Sequence, residues 1–237
     1  MSGDAKALFR ATKRRAAPAA EALFGAEALP VQRKARASRV GHDFYPTMDP
    51  DPIRALLAAD GDRIRSLGAV WEPACGSGDL VREIRAAGIP CSASDLIDRG
   101  CPDSWTADFF SCLRSRGGSI ITNPPYNLIN GRDSGGRWLR HTLDMPDWRY
   151  AAFLLNWDWP AARANGLGQL LDDHPFTRAY LMRWKVDFTG EGSPPQRNAW
   201  FIWDRDDRRE LPAYPPDFRW LDRPTAAPGQ TTLQLED

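Results

Sequence analysis

Short apolar runs recur along the chain, separated by segments whose apolar residues keep helical spacing. The runs are residues 70–74, 90–95, 119–122, 150–155, 177–184 and 198–204, and most carry β-branched or aromatic side chains. Their length and composition predict buried strands. Among the helical segments, Ile53, Leu56 and Leu57 follow the start signal Asp49-Pro50-Asp51-Pro52, and residues 79–87 read as a helix closed by Gly88. Further helices are predicted over 138–143 and 161–171, and residues 105–109 form a short polar-to-apolar segment. Strands alternating with helices predict an α/β fold with a doubly wound, mostly parallel sheet. Internal repeats are not evident.

The two ends of the chain break this pattern. Residues 1–42 are Ala-rich and basic, are divided by Pro18 and Pro30, and offer little apolar surface to pack. They read as a flexible arm before a domain spanning 43–211, with a Pro-rich, extended tail over 212–237. The formal net charge of zero hides an asymmetry. Lys6, Arg10, Lys13, Arg14, Arg15, Arg33, Lys34, Arg36 and Arg39 face only Asp4, Glu21 and Glu27 within the arm. A basic arm on an acidic body suits a polyanionic partner, because each cation that neutralises a phosphate releases counterions. A solvated tail without a partner is the plainer alternative. A targeting segment fits less well, given the acidic residues and prolines.

Two strings carry the candidate chemistry. Glu72-Pro73-Ala74-Cys75-Gly76-Ser77-Gly78-Asp79 follows the first predicted strand, and Asn123-Pro124-Pro125-Tyr126 follows Ile120-Ile121-Thr122. The first is a Gly-rich strand-to-helix turn, a geometry that lets backbone approach a nucleoside cofactor closely. It departs from both G-x-G-x-x-G and the phosphate-binding loop that ends in Gly-Lys-Ser/Thr, so a plain tight turn is the competing reading. Asp95 ends the next strand, 17 residues past Gly78, where a carboxylate can bind ribose hydroxyls. The second string puts an amide, two prolines and a phenol at the carboxyl end of a strand, where open α/β sheets bind ligands. The Asn123 amide oxygen and the Pro124 carbonyl can accept both N–H bonds of an exocyclic amino group and draw its lone pair toward attack. Pro124 and Pro125 remove backbone donors and stiffen the carbonyl's direction. Tyr126 offers a ring for stacking a planar acceptor. Taken alone, this string would be a proline-stiffened turn.

In this order, the two strings resemble the S-adenosylmethionine-dependent amino-methyltransferases, most closely the small phage-type adenine-N6 DNA methyltransferases. The resemblance spans about residues 44–204, including Arg183-Trp184-Lys185-Val186-Asp187-Phe188, and the motif order matches one of the circular permutations found among these enzymes. It implies a Rossmann-like sheet of the class I methyltransferase type and S-adenosylmethionine as cofactor. It places Phe44, Tyr45 and Thr47 over the methionine part of the cofactor, with Glu72 and Asp79 near its ammonium. Ala74, Gly76 and Gly78 would pass beneath that part, and Asp95 and Leu96 would meet the ribose. Asp108 would take the adenine amino group, with the Phe109 ring on the adenine face. The implied partner is double-stranded DNA with one adenine flipped out and held by Asn123, Pro124, Pro125 and Tyr126. The chain departs from the family in lacking a segment large enough for a separate target-recognition domain. Base reading would then fall to residues 127–137, residues 191–198 and the basic arm. The same string also serves enzymes acting on cytosine N4, on ribosomal RNA guanine and on protein glutamine. A nucleic-acid-binding protein that has lost catalysis is a reading of a different class.

The remaining composition narrows the class. Hydrophobic residues make up 42% and charged residues 26%, as in soluble globular proteins, and no apolar run reaches the length of a membrane span. Cys75, Cys91, Cys101 and Cys112 show no metal-ligand spacing, and with only three histidines no metal site is expected. Reduced thiols in a cytoplasmic protein of bacterial or phage origin are the corresponding expectation. Core packing accounts best for most of the ten tryptophans; Trp200 and Trp203, three apart, fall on opposite faces of their strand unless it is bulged. His141 and His174 receive no role.

Overall fold

The computed structural model of the protein describes residues 46–130, 135–161, 166–192, 196–207 and 216–225. The basic arm, Phe44, Tyr45 and the end of the Pro-rich tail lie outside the described residues. Helix α1 (Asp51–Ser66) starts where Asp49 Oδ1 accepts the Asp51 N–H at 3.0 Å, and Pro52 sits in the first turn, where no N–H donor is missed. It buries Ile53, Leu56, Leu57 and Ile64 along one stripe.

The elements that follow are β1 (Val70–Glu72), α2 (Asp79–Ala86), β2 (Cys91–Asp95), β3 (Ser104–Thr106), β4 (Ser119–Thr122) and the single turn α3 (Tyr126–Ile129). Then come α4 (Arg137–Asp144), β5 (Tyr150–Asn156), α5 (Leu167–Asp173), β6 (Arg178–Met182), β7 (Asn198–Asp204) and β8 (Asp217–Leu221). The strands form one sheet in the order β3-β2-β1-β4-β5-β7-β6-β8. Only β7 runs against its neighbours; the other pairings are parallel. The sheet is therefore the mostly parallel, Rossmann-like one expected.

The strand order reverses between β1 and β4. From β1 the chain steps outward to β2 and β3, then returns to pair β4 against the other side of β1. Such a switch point leaves a crevice beyond the carboxyl ends of the two strands. Both motif strings emerge into it.

Both faces of the sheet are covered, which is why the central strands read as continuous apolar runs rather than alternating ones. Tyr150, Ala152 and Leu154 of β5 join a cluster with Ile53, Leu56, Leu80, Ile84 and Trp200. Ala151, Phe153 and Leu155 face the other way, with Trp138, Leu139, Leu167, Phe176 and Trp203. Trp200 and Trp203 thus lie on opposite faces, as their spacing requires, and six of the ten tryptophans are buried. A polar knot ties α1 to the far half of the sheet. Asp60 accepts the hydroxyls of Tyr150 and Tyr180 at 2.9 and 2.7 Å, and Arg178 bridges Asp60 and Asp204.

The elements depart from the sequence pattern in four places. Residues 159–161 form a 3₁₀ turn and α5 begins only at Leu167, because Gly166 takes the left-handed conformation (φ +79°), which an α-helix cannot contain. Residues 104–106 are an edge strand, and β8 lies within the Pro-rich segment, pairing parallel to β6. Residues 126–129, overlapping the start of the 127–137 segment assigned to base reading, make one helical turn.

Candidate active site

Strand β1 stops because its own terminal side chain takes over the backbone. Glu72 Oε1 accepts the Ala74 N–H at 3.0 Å, and Pro73 has no N–H to offer a ladder. The chain then turns tightly. Cys75 N–H donates to the Ser94 carbonyl, Gly78 N–H to the Cys75 carbonyl at 2.8 Å, and Gly76 N–H to Asp95 Oδ2 at 2.9 Å. Asp95 Oδ1 accepts the Ile97 N–H at 3.2 Å, so this one carboxylate pins the turn to the end of β2. Asp79 opens α2, its oxygens held by the Ser77 hydroxyl and by Arg82, both at 2.8 Å.

Gly78 does not line the cleft. It sits at φ +86° ahead of α2, and a Cβ there would lie 2.7 Å from the Cys101 sulfur. Its small size serves close packing of the turn rather than ligand contact. Burial makes the neighbouring thiols inert: Cys91 is pushed up to about 12 and Cys75 higher still.

Across the cleft, the second string leaves β4. The Asn123 amide nitrogen donates to the Thr47 hydroxyl at 3.1 Å, which ties the segment before α1 to the site and fixes the amide plane. Pro124 is buried, and Pro125 precedes α3, its carbonyl accepting the Leu128 N–H at 2.9 Å. Tyr126 begins that turn, half-buried, with its hydroxyl 3.4 Å from the Asn198 amide nitrogen. The third wall comes from residues 108–110. The Asp108 carboxylate caps the Phe110 N–H at 3.0 Å. Phe109 is stacked on Trp138 (ring centroids 4.1 Å apart, planes 19°) and is 3% exposed. One face of that ring is occupied, so it cannot sandwich a ligand. The half-buried Phe110, which carries the Arg137 guanidinium 3.8 Å above its ring, is the more available aromatic.

These walls enclose one cavity of about 230 Å³. Thr47, Glu72, Ala74, Gly76, Asp79, Asp95, Leu96, Asp108, Phe109 and all four residues of the Asn-Pro-Pro-Tyr string line it. The structure thus brings together thirteen of the sixteen residues expected from sequence. Gly78 acts behind the wall, and Phe44 and Tyr45 lie outside the described residues. Phe110, Ile97 and Trp138 also line the cavity and were not anticipated. Phe110 adjoins an expected pair, whereas Trp138 carries no local signal for a cleft. A second cavity, of about 210 Å³, lies beside Tyr126 and is walled by Ile129, Asn130, Leu155, Asn156, Asp158 and Trp159.

Glu72 is the strongly perturbed carboxyl group of the cleft. It is 1% exposed, and burial raises its carboxyl to about 8. Its Oε2 is buried and interacts only weakly with the Thr122 side chain at the end of β4, short of a well-formed hydrogen bond. A buried carboxyl oxygen without a full partner at a cleft wall is an acceptor that a cationic ligand group would satisfy, its charge favouring the ionised form that burial disfavours.

No protein-family model matches the sequence, and no curated protein matches it. Solved structures do resemble it. One is a protein of Listeria monocytogenes assigned provisionally to the class I S-adenosylmethionine-dependent methyltransferases, at 14% identity and a TM-score of 0.54, covering 77% of this chain and 67% of that one. The fold is that of the class I methyltransferases. At this identity the likeness speaks for the class I fold alone. Others are a provisionally assigned RNA methyltransferase of Pyrococcus horikoshii (13% identity, TM-score 0.47, 64% and 80% of the two chains) and magnesium protoporphyrin IX methyltransferase of Synechocystis, solved with its cofactor (13%, 0.46, 65% and 79%). Those two TM-scores are too low to bear on function.

Proposed function

We propose that the protein transfers a methyl group from S-adenosylmethionine to the exocyclic N6 amino group of an adenine extruded from duplex DNA. One observation carries this reading: Asn123-Pro124-Pro125-Tyr126, at the end of β4, opens into the same cavity as the Gly76-Ser77-Gly78 turn at the end of β1. The cleft fits the cofactor on its own chemistry. Glu72 Oε2 offers a buried acceptor without a full partner for an ammonium, Asp95 lies at the strand end suited to ribose hydroxyls, and Asp108 and Phe110 flank the space for a purine. When bound, S-adenosylmethionine supplies an electrophilic methyl on a sulfonium, which needs neither metal nor covalent enzyme intermediate.

The protein's own task is to prepare the acceptor. The amino group of adenine is conjugated into the ring and is a weak nucleophile. Asn123 Oδ1 and the Pro124 carbonyl accept its two N–H bonds, which localises the lone pair on nitrogen. Thr47 holds the Asn123 amide by its nitrogen, so the oxygen is the edge presented to the acceptor. Tyr126 stacks on the base and replaces the neighbours it loses on leaving the duplex. After attack the nitrogen sheds a proton, which goes to water, because neither an amide nor a peptide carbonyl is basic enough to keep it. The basic arm would contact the phosphate backbone.

The test is transfer of labelled methyl from S-adenosylmethionine to unmethylated duplex DNA, with nucleosides resolved afterwards. Label in N6-methyladenine is the expected result, and Asn123→Ala is expected to abolish it while cofactor binding persists. Label in N4-methylcytosine would keep the mechanism and change the base. Cofactor binding without DNA labelling would overturn the DNA reading in favour of RNA or protein acceptors.

A further inference from the structure

The cavity beside Tyr126 is outside the cofactor cleft and, among the described residues, shares only Tyr126 with it. Its wall contains Asn156, the last residue of β5, whose cross-strand partner is Asn198, the first residue of β7. Asn198 is 1% exposed. Its amide nitrogen reaches the Tyr126 hydroxyl at 3.4 Å and Asn156 Oδ1 at 3.5 Å, while its own Oδ1 is buried and has no hydrogen-bonding partner among the described residues. A buried amide in this state has its donor committed to two acceptors. The consequence falls on Asn156. With Oδ1 turned to Asn198, the edge of the Asn156 amide left for the cavity is its NH₂ donor.

We propose that this cavity receives the acceptor ring and that the Asn156 amide nitrogen donates to the ring-nitrogen lone pair flanking the methylated amino group. The inference rests on the function proposed above and names the feature by which that site selects its base. In adenine, N1 beside the N6 amino group is such an acceptor, and N3 beside the N4 amino group of cytosine is another. Guanine flanks its amino group with N1–H on one side and with N3 only on the sugar edge, so a guanine held by its Watson–Crick edge, as adenine would be, sets an N–H against the Asn156 donor and leaves two donors facing each other in a half-buried site. Buried polar groups left unpaired by the wrong ligand are the strongest source of discrimination available to a pocket. A volume of about 210 Å³ is several times the ~30 Å³ share of a water molecule, so the space suits a single ring system. Trp159, buried at 4% exposure with its indole N–H bonded to the Ile129 carbonyl at 3.2 Å, makes the cavity floor rigid.

Methyl transfer to duplex DNA of mixed sequence is measured for wild type, Asn156→Ala and Asn156→Asp, with kcat and KM for DNA separated and cofactor affinity titrated independently. Asn156→Ala removes the donor and is expected to lower kcat/KM for adenine about tenfold or more. Asn156→Asp keeps the shape but faces a lone pair with a carboxylate, and is expected to be worse than Asn156→Ala. Cofactor affinity should be unchanged in both. A merely structural role would give the reverse order, with the isosteric Asp milder than Ala, and that order would overturn the proposal. So would wild-type activity in Asn156→Asp. If wild type labels no DNA base, the functional reading fails first; if wild type labels adenine and the variants match it, only the role of Asn156 fails.

Discussion

Glu72 shows how one buried side chain can govern the behaviour of a site before any ligand arrives. Its carboxyl is raised from about 4.5 to about 8 because burial removes the water that would solvate its charge. The folded chain therefore holds a proton that the unfolded chain has already released between those two values. The stability this group contributes is fully present below about pH 4.5 and is lost as pH rises through 8. Thermal melts of the ligand-free protein should thus show lower stability at pH 8.5 than at pH 6, by on the order of 2 kcal/mol. Glu72→Gln should flatten that trend, and an equally steep trend in the variant would assign it to other groups. At this scale the sequence was highly legible where residue type and chemistry coincide. Asn123, Tyr126, Asp95 and Glu72 could be named because few other roles need those groups at strand ends. Phe109 was legible as aromatic but not as occupied, since the ring that covers it, Trp138, lies 29 residues away on another element. Asn198 was legible only as the boundary between a segment assigned to base reading and a predicted strand, because its place beside Tyr126 and Asn156 comes from cross-strand pairing.

Among the elements, the Gly-rich turn has the narrowest tolerance. Gly78 needs a left-handed backbone and has no room for a methyl beside Cys101. Gly78→Ala should cost roughly 2 kcal/mol in denaturant unfolding, from backbone strain and overlap together. Adding Cys101→Ala should restore only part of the loss, since it removes the overlap and leaves the strain; full recovery would mean the dihedral was unimportant. Strands β4 and β7 were readable to the residue because their apolar runs are bounded by polar or turn-forming neighbours. The helix expected over 161–171 was overextended because Leu and Ala spacing continues across Gly166, and only its positive φ shows the break. Strand β8 was missed because its Phe218 and Trp220 are exposed, at 58% and 62%, and its sequence lies in Pro-rich surroundings. Edge strands bury too little to leave a hydrophobic signature.

For the whole molecule, the local pattern specified a parallel α/β sheet but not its order. The insertion of β7 between β5 and β6, antiparallel to both, is decided by pairing between distant segments, on which local periodicity is silent. Charge distribution is likewise a property of the full chain. Nine of its basic residues belong to the first 42, and the remainder is correspondingly acidic. Deleting residues 1–42 should therefore flatten the dependence of DNA affinity on salt, read as the slope of log affinity against log salt concentration. An unchanged slope would remove the arm from phosphate contact.

Strands β1 and β4 are hydrogen-bonded neighbours, with Val70 opposite Ser119 and Trp71 opposite Ile120. Their spacing is the fixed interval of a peptide ladder, near 4.8 Å, and it cannot drift by fractions without losing bonds. The two strings leave the sheet just beyond that paired stretch, one at Glu72 and the other at Asn123. Under the function proposed above, loops around the rim can lengthen, shorten or change charge, and so exchange one acceptor for another, while the strand ends from which both strings start stay set by the sheet. Such a scaffold lets selectivity evolve quickly and reach evolve hardly at all.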